Sequence, residues 1–133
     1  MTGRKIREIR DLMKQKVIDV VRDRRGVRFD VYFEDDENKK YDFEMQTGRF
    51  KDLPKRSRYY QSMIDSDSLN KNASYKMLPD SLICFICTKD PFKHGRMVCT
   101  IQNQIMEIGE EFGDGSKTII LYRLVSAMYR LVT

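Results

Sequence analysis

The sequence predicts an α/β fold with a sandwich-like plan, and three observations support this. Two neighbouring segments, 27–33 and 41–46, alternate apolar and polar side chains with the period of two that is typical of β-strands. A helical segment that begins near Pro54 follows them, and a continuous apolar run at 81–88 follows the helix. Strands on both sides of a helix indicate the α/β class, in which helices pack against a sheet.

The N-terminal part predicts a helix and then a strand. Residues 4–13 place Ile6, Ile9 and Leu12 at helical spacing among basic side chains, which favours a short amphipathic helix. Residues 16–22 are rich in valine and fit either a continuation of that helix or a first strand. We interpret them as a strand, so the predicted order is helix, strand, strand, strand, helix, strand.

The second helix should begin at Pro54, which suits a first helical turn, and continue to about Asp65. Its predicted inner face consists of Tyr59, Tyr60, Met63 and Ile64. Weaker strand patterns follow at 97–102 and 117–122, and an apolar stripe at 124–132 predicts a final helix.

Composition limits the class of protein. The chain has 133 residues, 41% of them hydrophobic, which predicts one globular domain over residues 1–133. No apolar run approaches the ~20 residues that a membrane-spanning helix needs, so we expect a soluble, cytoplasmic protein without a membrane partner. Residues 1–28 hold ten Lys and Arg against four Asp and Glu, an excess that favours a polyanionic partner.

Cys84 and Cys87 form a C-x-x-C pattern, which raises the possibility of a zinc or redox site. Both lie within the apolar strand segment, where residues three apart point to opposite faces and chelate poorly. We therefore expect reduced, buried cysteines that pack as small hydrophobic side chains.

The register of the two alternating strands brings two acids together. Pairing Phe33 with Tyr41 places the apolar side chains of both strands on one face and leaves a polar loop at 35–39. In this register Asp30 lies directly opposite Glu44, with their Cβ atoms about 4.5 to 5.5 Å apart. Asp42 and Gln46 lie on the same face of the hairpin.

Two carboxylates in direct opposition destabilise a hairpin unless something compensates for their charge. A hard cation such as Mg²⁺ or Mn²⁺ would do so, because Mg²⁺ commonly takes one or two carboxylates and completes its shell with water and phosphate. Such a site suits phosphodiester hydrolysis. The alternative is an ordinary solvated face on which Lys39, Lys40 or Arg28 pairs with the acids.

The segments around these acids resemble the PD-(D/E)XK nuclease superfamily, and more closely its bacterial branch of transposases or recombination-promoting nucleases. The resemblance covers about residues 15–122. It depends on the segments GVRFDVY (26–32), YDFEMQ (41–46), LPKRSRYYQ (53–61), ICFICT (83–88) and GDG (113–115).

The resemblance implies a restriction-endonuclease-like core, α-β-β-β-α-β, with a mixed sheet flanked by helices. It also implies that Asp30 and Glu44 bind the metal and that Gln46 stands in the place of the usual lysine, as a third catalytic residue. A glutamine amide can orient water by hydrogen bonding but supplies no net charge. Asp42 and Tyr60 are expected to support the site.

The helix that begins at Pro54 carries the Arg-x-x-x-Tyr pattern of this branch as Arg56 and Tyr60, which places both side chains on one helix face. We expect Arg56 to approach phosphate, and we expect DNA contacts from Arg28, Lys55 and Arg58 as well. The alternative for Arg56 and Tyr60 is a role in helix packing and surface charge.

The sequence therefore predicts a metal-dependent DNA endonuclease associated with transposition or recombination. Relatives of this branch carry longer helical regions on both sides of the core. The alternative is accordingly a truncated, non-catalytic module of nuclease fold that binds DNA or serves assembly. An exposed apolar stripe at 124–132 would favour a homodimer.

Overall fold

The fold is described from a computed structural model, which describes residues 8–18, 27–48 and 51–122. Its longer elements are β1 (Ile9–Ile18), β2 (Val27–Asp35), β3 (Lys40–Gln46), α1 (Leu53–Ser68), β4 (Ser81–Cys87), β5 (Val98–Ile101) and β8 (Ser116–Tyr122). A 3₁₀ turn spans Tyr75–Met77, and a small hairpin consists of β6 (Gln104–Ile105) and β7 (Glu110–Glu111).

The six long strands form one mixed sheet in the order β1-β2-β3-β4-β8-β5. The strands β1, β2 and β3 pair antiparallel, β3, β4 and β8 pair parallel, and β5 is antiparallel to β8. The helix α1 connects the parallel strands β3 and β4, as parallel pairing requires. The α/β class and the mixed sheet are thus confirmed.

The predicted helix at 4–13 is wrong from Ile9 onward, because β1 already begins there. Helical spacing of apolar residues over a short segment does not reveal whether a strand partner exists elsewhere in the chain. Here the nine-residue strand β2 offers that partner, and Ile9 pairs with Asp35 at the far end of the ladder. The strand predicted at 16–22 is the end of β1 as far as Ile18, and residues 19–22 lie outside the described part.

The β2–β3 hairpin has the predicted register: Phe33 pairs with Tyr41, and Val31 pairs with Phe43. The rings of Phe33 and Tyr41 stack with their centroids 4.7 Å apart. The loop is shorter than predicted, because Asp35 is the last residue of β2 and is fully buried. Its carboxylate accepts hydrogen bonds from the Tyr41 hydroxyl (2.9 Å) and from two loop N–H groups, so it holds the turn closed.

Helix α1 packs on one face of the sheet, and its buried side chains Leu53, Met63 and Ile64 contact a cluster from β2, β4 and β8. The predicted inner face is confirmed, since Tyr59 and Tyr60 pack against this cluster as well. The members from the sheet are Tyr32, Ile83, Phe85, Cys87 and Ile120.

The opposite face of the sheet carries a second cluster: Phe33, Tyr41, Leu82, Cys84, Ile119 and Leu121. Cys84 and Cys87 therefore lie in different clusters on opposite faces, as predicted, and both are free thiols. Burial raises the pKa of Cys84 to about 12 and that of Cys87 to about 11. Neither thiol is placed for metal binding.

Among the helices that the structure describes, none is both long and apolar enough to cross a bilayer. The final helix predicted at 124–132, and with it the apolar stripe that favoured a homodimer, lies outside the described residues. The same is true of most of the basic segment 1–28.

Candidate functional site

Asp30 and Glu44 meet where the β2–β3 ladder ends. Beyond the last backbone pair, Val31 with Phe43, two hydrogen bonds to carboxylates join the strands. The backbone N–H of Asp30 donates to Glu44 Oε1 (3.2 Å), and the N–H of Met45 donates to Asp30 Oδ2 (3.1 Å). Each acid thus accepts a hydrogen bond from the backbone of the opposite strand, beyond the end of the ladder.

The acidic face of β3 is buried, with exposed fractions of 0% for Asp42, 4% for Glu44 and 6% for Gln46. The register partners of these three residues on β4 are Ile83, Phe85 and Cys87, all of which belong to the cluster under α1. The alternative of an ordinary solvated face is therefore wrong. Met45, on the apolar side of the alternation, is the exposed residue at 52%.

Burial changes the ionisation of this set. Burial and the neighbouring carboxyl groups of Glu44 and Asp30 raise the pKa of Asp42 to about 10. Burial and the Asp30 carboxyl likewise raise the pKa of Glu44 to about 7. Neither carboxyl oxygen of Asp42 has a hydrogen-bond partner among the described residues. Two adjacent acids therefore resist ionisation, because burial and the neighbouring carboxyl groups disfavour their anionic forms.

The lysines that were candidates for pairing with these acids have other partners. Lys40 forms its ion pair with Glu34, and Lys39 lies over the Tyr41 ring, 5.4 Å from its centroid. Within the described ranges, no cation forms an ion pair with Asp30 or Glu44. The side chain of Arg28 lies outside the described part of the chain.

Gln46 is held by Arg56. Arg56 Nη1 donates a hydrogen bond to Gln46 Oε1 (2.8 Å), and the Gln46 amide nitrogen donates to the Gly48 carbonyl. The guanidinium of Arg56 also lies over the rings of Tyr60 and Phe85, at 5.6 Å and 5.8 Å from their centroids. A positive charge thus lies in contact with the glutamine that stands in the place of the usual lysine.

The start of α1 determines this placement of Arg56. Pro54 lies in the first turn of the helix, and the Arg56 N–H bonds the Asp52 carbonyl, so the helix starts a few residues after β3. Four-residue spacing puts Arg56 and Tyr60 next to each other on one helix face. The Tyr60 ring stacks on Phe85 of β4, with the ring centroids 6.3 Å apart. Asp52 approaches the guanidinium at 3.8 Å and is itself more than half exposed.

The structure thus brings together six of the nine predicted site residues: Asp30, Asp42, Glu44, Gln46, Arg56 and Tyr60. Lys55 and Arg58 are exposed on α1. Sequence reasoning missed the contact between Arg56 and Gln46. The signal that could have indicated it was the short connection between the two, which limits how far the first helical turn can lie from the end of the strand.

The donors present fit a hard divalent cation. No three Asp, Glu, His or Cys side chains converge into a protein cage within residues 8–18, 27–48 and 51–122. Mg²⁺ needs no such cage, because one or two carboxylates with water and phosphate are sufficient. Asp30 and Glu44 provide two adjacent carboxyl groups, and behind them lies the buried carboxyl of Asp42, whose ionisation a nearby cation would favour.

A polar cleft of about 250 Å³ lies at the opposite end of the parallel strands, among Asp80, Asp114 and Lys117. It contains none of the predicted site residues. At that end Gly115 has φ +78°, and a Cβ on it would lie 2.2 Å from Asp80 Oδ1, so another residue would be strained by its backbone conformation and would displace the Asp80 carboxylate. The cleft belongs to the loops that start β4 and β8.

Comparison with known proteins gives one match. The family model described as PD-(D/E)XK nuclease family transposase matches residues 2–122. No curated protein and no solved structure matches the chain.

Proposed function

The chain belongs to the PD-(D/E)XK nuclease family transposases, a family of nuclease type, and on that premise we propose that it is a metal-dependent DNA endonuclease. It would hydrolyse phosphodiester bonds during transposition or recombination. The observation that carries the proposal is the approach of Asp30 to Glu44, two acids from neighbouring strands. Neither forms an ion pair with a cation among the described residues.

In this proposal Asp30 and Glu44 hold Mg²⁺ or Mn²⁺. When bound, the ion supplies Lewis-acid activation of a water and of the scissile phosphate. Glu44 is almost fully buried, and its Oε1 is already oriented by the Asp30 N–H, so little reorganisation is needed on binding. Asp42 supports the pair by keeping a second acidic group next to Glu44.

Gln46 and Arg56 act as one unit in this proposal. The Gln46 amide orients the attacking water by hydrogen bonding, but it adds no charge to the developing phosphorane. Arg56, whose guanidinium touches Gln46, supplies the positive charge that a lysine at that position would otherwise bring. Tyr60 supports the guanidinium through a cation–π contact with its ring.

The remaining basic residues are proposed to hold DNA. Lys55 and Arg58 are exposed near the start of the same helix as Arg56, so their charges lie close to the site. Phosphate contacts of this kind position a duplex without reading its sequence. Arg28 precedes Asp30 by two residues on β2 and is proposed for the same role.

The test is nicking of supercoiled plasmid by purified protein in Mg²⁺. Asp30→Asn preserves the shape of the side chain and an oxygen that can accept from the Met45 N–H, yet it removes the charge that holds the ion. We expect its rate to fall at least about 100-fold, and EDTA to stop wild-type cleavage.

The matched control is Glu37→Gln, which removes one charge from the exposed β2–β3 turn and should cut as fast as wild type. Circular dichroism would establish that both variants are folded. Undiminished nicking by Asp30→Asn would refute the assignment. DNA binding that depends on salt but not on EDTA, without any cleavage, would instead support a non-catalytic DNA-binding module.

A further inference from the structure

The loop between β4 and β5, residues 88–97, carries a local excess of positive charge. Lys89, Lys93 and Arg96 are exposed, and Asp90 is the one acid in the segment. None of the three cations forms an ion pair with any residue in the described ranges. Their charges are therefore directed to solvent and available to a partner.

Topology places this 88–97 loop at the same end of the sheet as the acidic pair. The N–H of Thr88 donates to the Gln46 carbonyl (3.1 Å), so the loop starts in contact with the candidate site. It ends at Val98, which pairs with Leu121 near the end of β8. Because β3, β4 and β8 are parallel, both ends of the loop lie at the carboxyl edge of these strands, where Gln46 also lies.

Hydrogen bonds to the Asp90 carboxylate order the 88–97 loop. The Asp90 carboxylate accepts hydrogen bonds from the N–H groups of Phe92 (3.2 Å), Lys93 (3.0 Å) and Gly95 (2.7 Å). These bonds, that of Gly95 above all, lower the pKa of Asp90. The carboxylate is thus turned inward onto the loop backbone, and the turn holds Lys93 at φ 58° and Gly95 at φ 69°. The basic side chains are presented from a defined turn.

We propose that the 88–97 loop is a clamp for the DNA backbone, in which Lys89, Lys93 and Arg96 bind phosphates beside the bond to be cut. The inference rests on the proposed function for the identity of its partner as DNA. Each phosphate contact releases about 0.9 counterion from duplex DNA, so loss of two contacts should lower the slope of log K against log salt by about 1.8.

The experiment compares two double variants with equal net charge. Lys93→Gln with Arg96→Gln neutralises the loop. Lys71→Gln with Lys76→Gln removes two exposed charges from the connection before β4, at the opposite end of the parallel strands. Binding to a fluorescent duplex of about 30 base pairs would be measured by anisotropy at several salt concentrations, in EDTA so that no cleavage occurs.

We expect the loop variant to bind at least about tenfold more weakly at moderate salt and to show the reduced slope, whereas the Lys71 and Lys76 variant should stay close to wild type. Equal affinities and slopes for the two variants would overturn the proposal, as would absence of duplex binding by wild type. Thermal unfolding would show that both variants are folded.

A second variant separates the shape of the loop from its charge. Asp90→Ala removes a negative charge, so simple attraction predicts tighter binding, whereas an ordered clamp that loses its turn should bind several-fold more weakly. Tighter binding would overturn the proposal of a built clamp.

Failure of the clamp and failure of the nuclease assignment are distinguishable. If Asp30→Asn nicks like wild type while the loop variant still loses affinity, the clamp stands and the nuclease assignment falls. If nicking depends on Asp30 while the loop variant binds like its control, only the clamp falls.

Discussion

Replacing Asp42 with asparagine should stabilise the protein in the absence of metal. Asp42 is fully buried on β3, and neither of its carboxyl oxygens has a hydrogen-bond partner among the described residues. Its pKa is raised to about 10 by burial and by the neighbouring carboxyl groups of Glu44 and Asp30. Asparagine has the same shape, carries no charge, and brings an amide donor for the Glu44 carboxyl.

The magnitude follows from the change in pKa. The ordinary pKa of the group is 3.8, against about 10 in the fold, so at pH 7.5 folding takes up a proton that the unfolded chain does not hold. Taking up this proton lowers the free energy of unfolding by about 1.36 kcal/mol for each pH unit above 3.8. At pH 7.5 the reduction is about 5 kcal/mol. Movement of Glu44 and entry of water should reduce this penalty in the wild type. We therefore expect Asp42→Asn to raise the free energy of unfolding by about 2 to 4 kcal/mol.

The sign of the pH dependence follows as well. Because the folded pKa of Asp42 lies above the ordinary one, its contribution to wild-type stability is most favourable below about pH 4 and falls as the pH rises towards about 10. The variant lacks this loss, so the difference between the two should grow with pH. Added Mg²⁺ should narrow the difference, since a nearby cation favours the ionised wild-type carboxyl.

Urea denaturation in EDTA, followed by circular dichroism at about pH 5, 6.5 and 8, measures the free energy of unfolding of both proteins. Glu107→Gln, in the exposed β6–β7 turn, is the control and should change this free energy by less than about 0.5 kcal/mol. A variant no more stable than wild type at pH 8, or a difference that does not change with pH, would refute the reasoning.

Two further predictions concern the glutamine–arginine contact and the turn before β8. Arg56→Gln should slow nicking about 100-fold, because the charge beside Gln46 is lost, and Gln46→Lys in that background should recover part of the rate. Unchanged nicking by Arg56→Gln would contradict the assigned role. Gly115→Ala should lower the free energy of unfolding by about 2 to 3 kcal/mol through strain at positive φ and contact with Asp80, against about 1 kcal/mol for Gly109→Ala, which meets nothing within 4 Å. Urea denaturation measures both, and equal losses would exclude the contact with Asp80 as a cause.

The hairpin that carries the acids could be predicted because alternation and turn length together leave one register. Phe33 and Tyr41 must share a face, and a short polar loop connects the strands, so the approach of Asp30 to Glu44, just beyond the last backbone pair, follows from geometry. Helix α1 was predictable for a similar reason, since Pro54 identifies its start and Met63 with Ile64 its buried side.

Elements that depend on distant partners could not be predicted in this way. The strand β1 has helical spacing of its apolar residues, and only its pairing with β2 determines its structure. The two-residue strands β6 and β7 are too short to show any period. Tertiary pairing outweighs local pattern in both cases.

The site differs from its prediction chiefly in burial. Alternation indicates that Asp42 and Glu44 share a face, but it does not indicate what covers that face. The crossover helix α1 covers it, because parallel pairing of β3 with β4 requires a connection over one side of the sheet. The same crossover brings Arg56 onto Gln46, a contact between residues ten positions apart that neither strand nor helix periodicity contains.

This burial links the stability of the fold to the proposed chemistry. A carboxyl without a hydrogen-bond partner inside a core lowers the stability of the fold, and an apolar residue at position 42 would continue the cluster formed by its register partners Tyr32 and Ile83. In the absence of a cation, Asp42 is therefore unfavourable for folding. It becomes favourable if a cation binds beside Glu44, because the same low dielectric that raises the pKa of Asp42 strengthens its attraction to that ion. A buried acid that resists ionisation next to a pair of acids is thus the expected signature of a site that binds a cation.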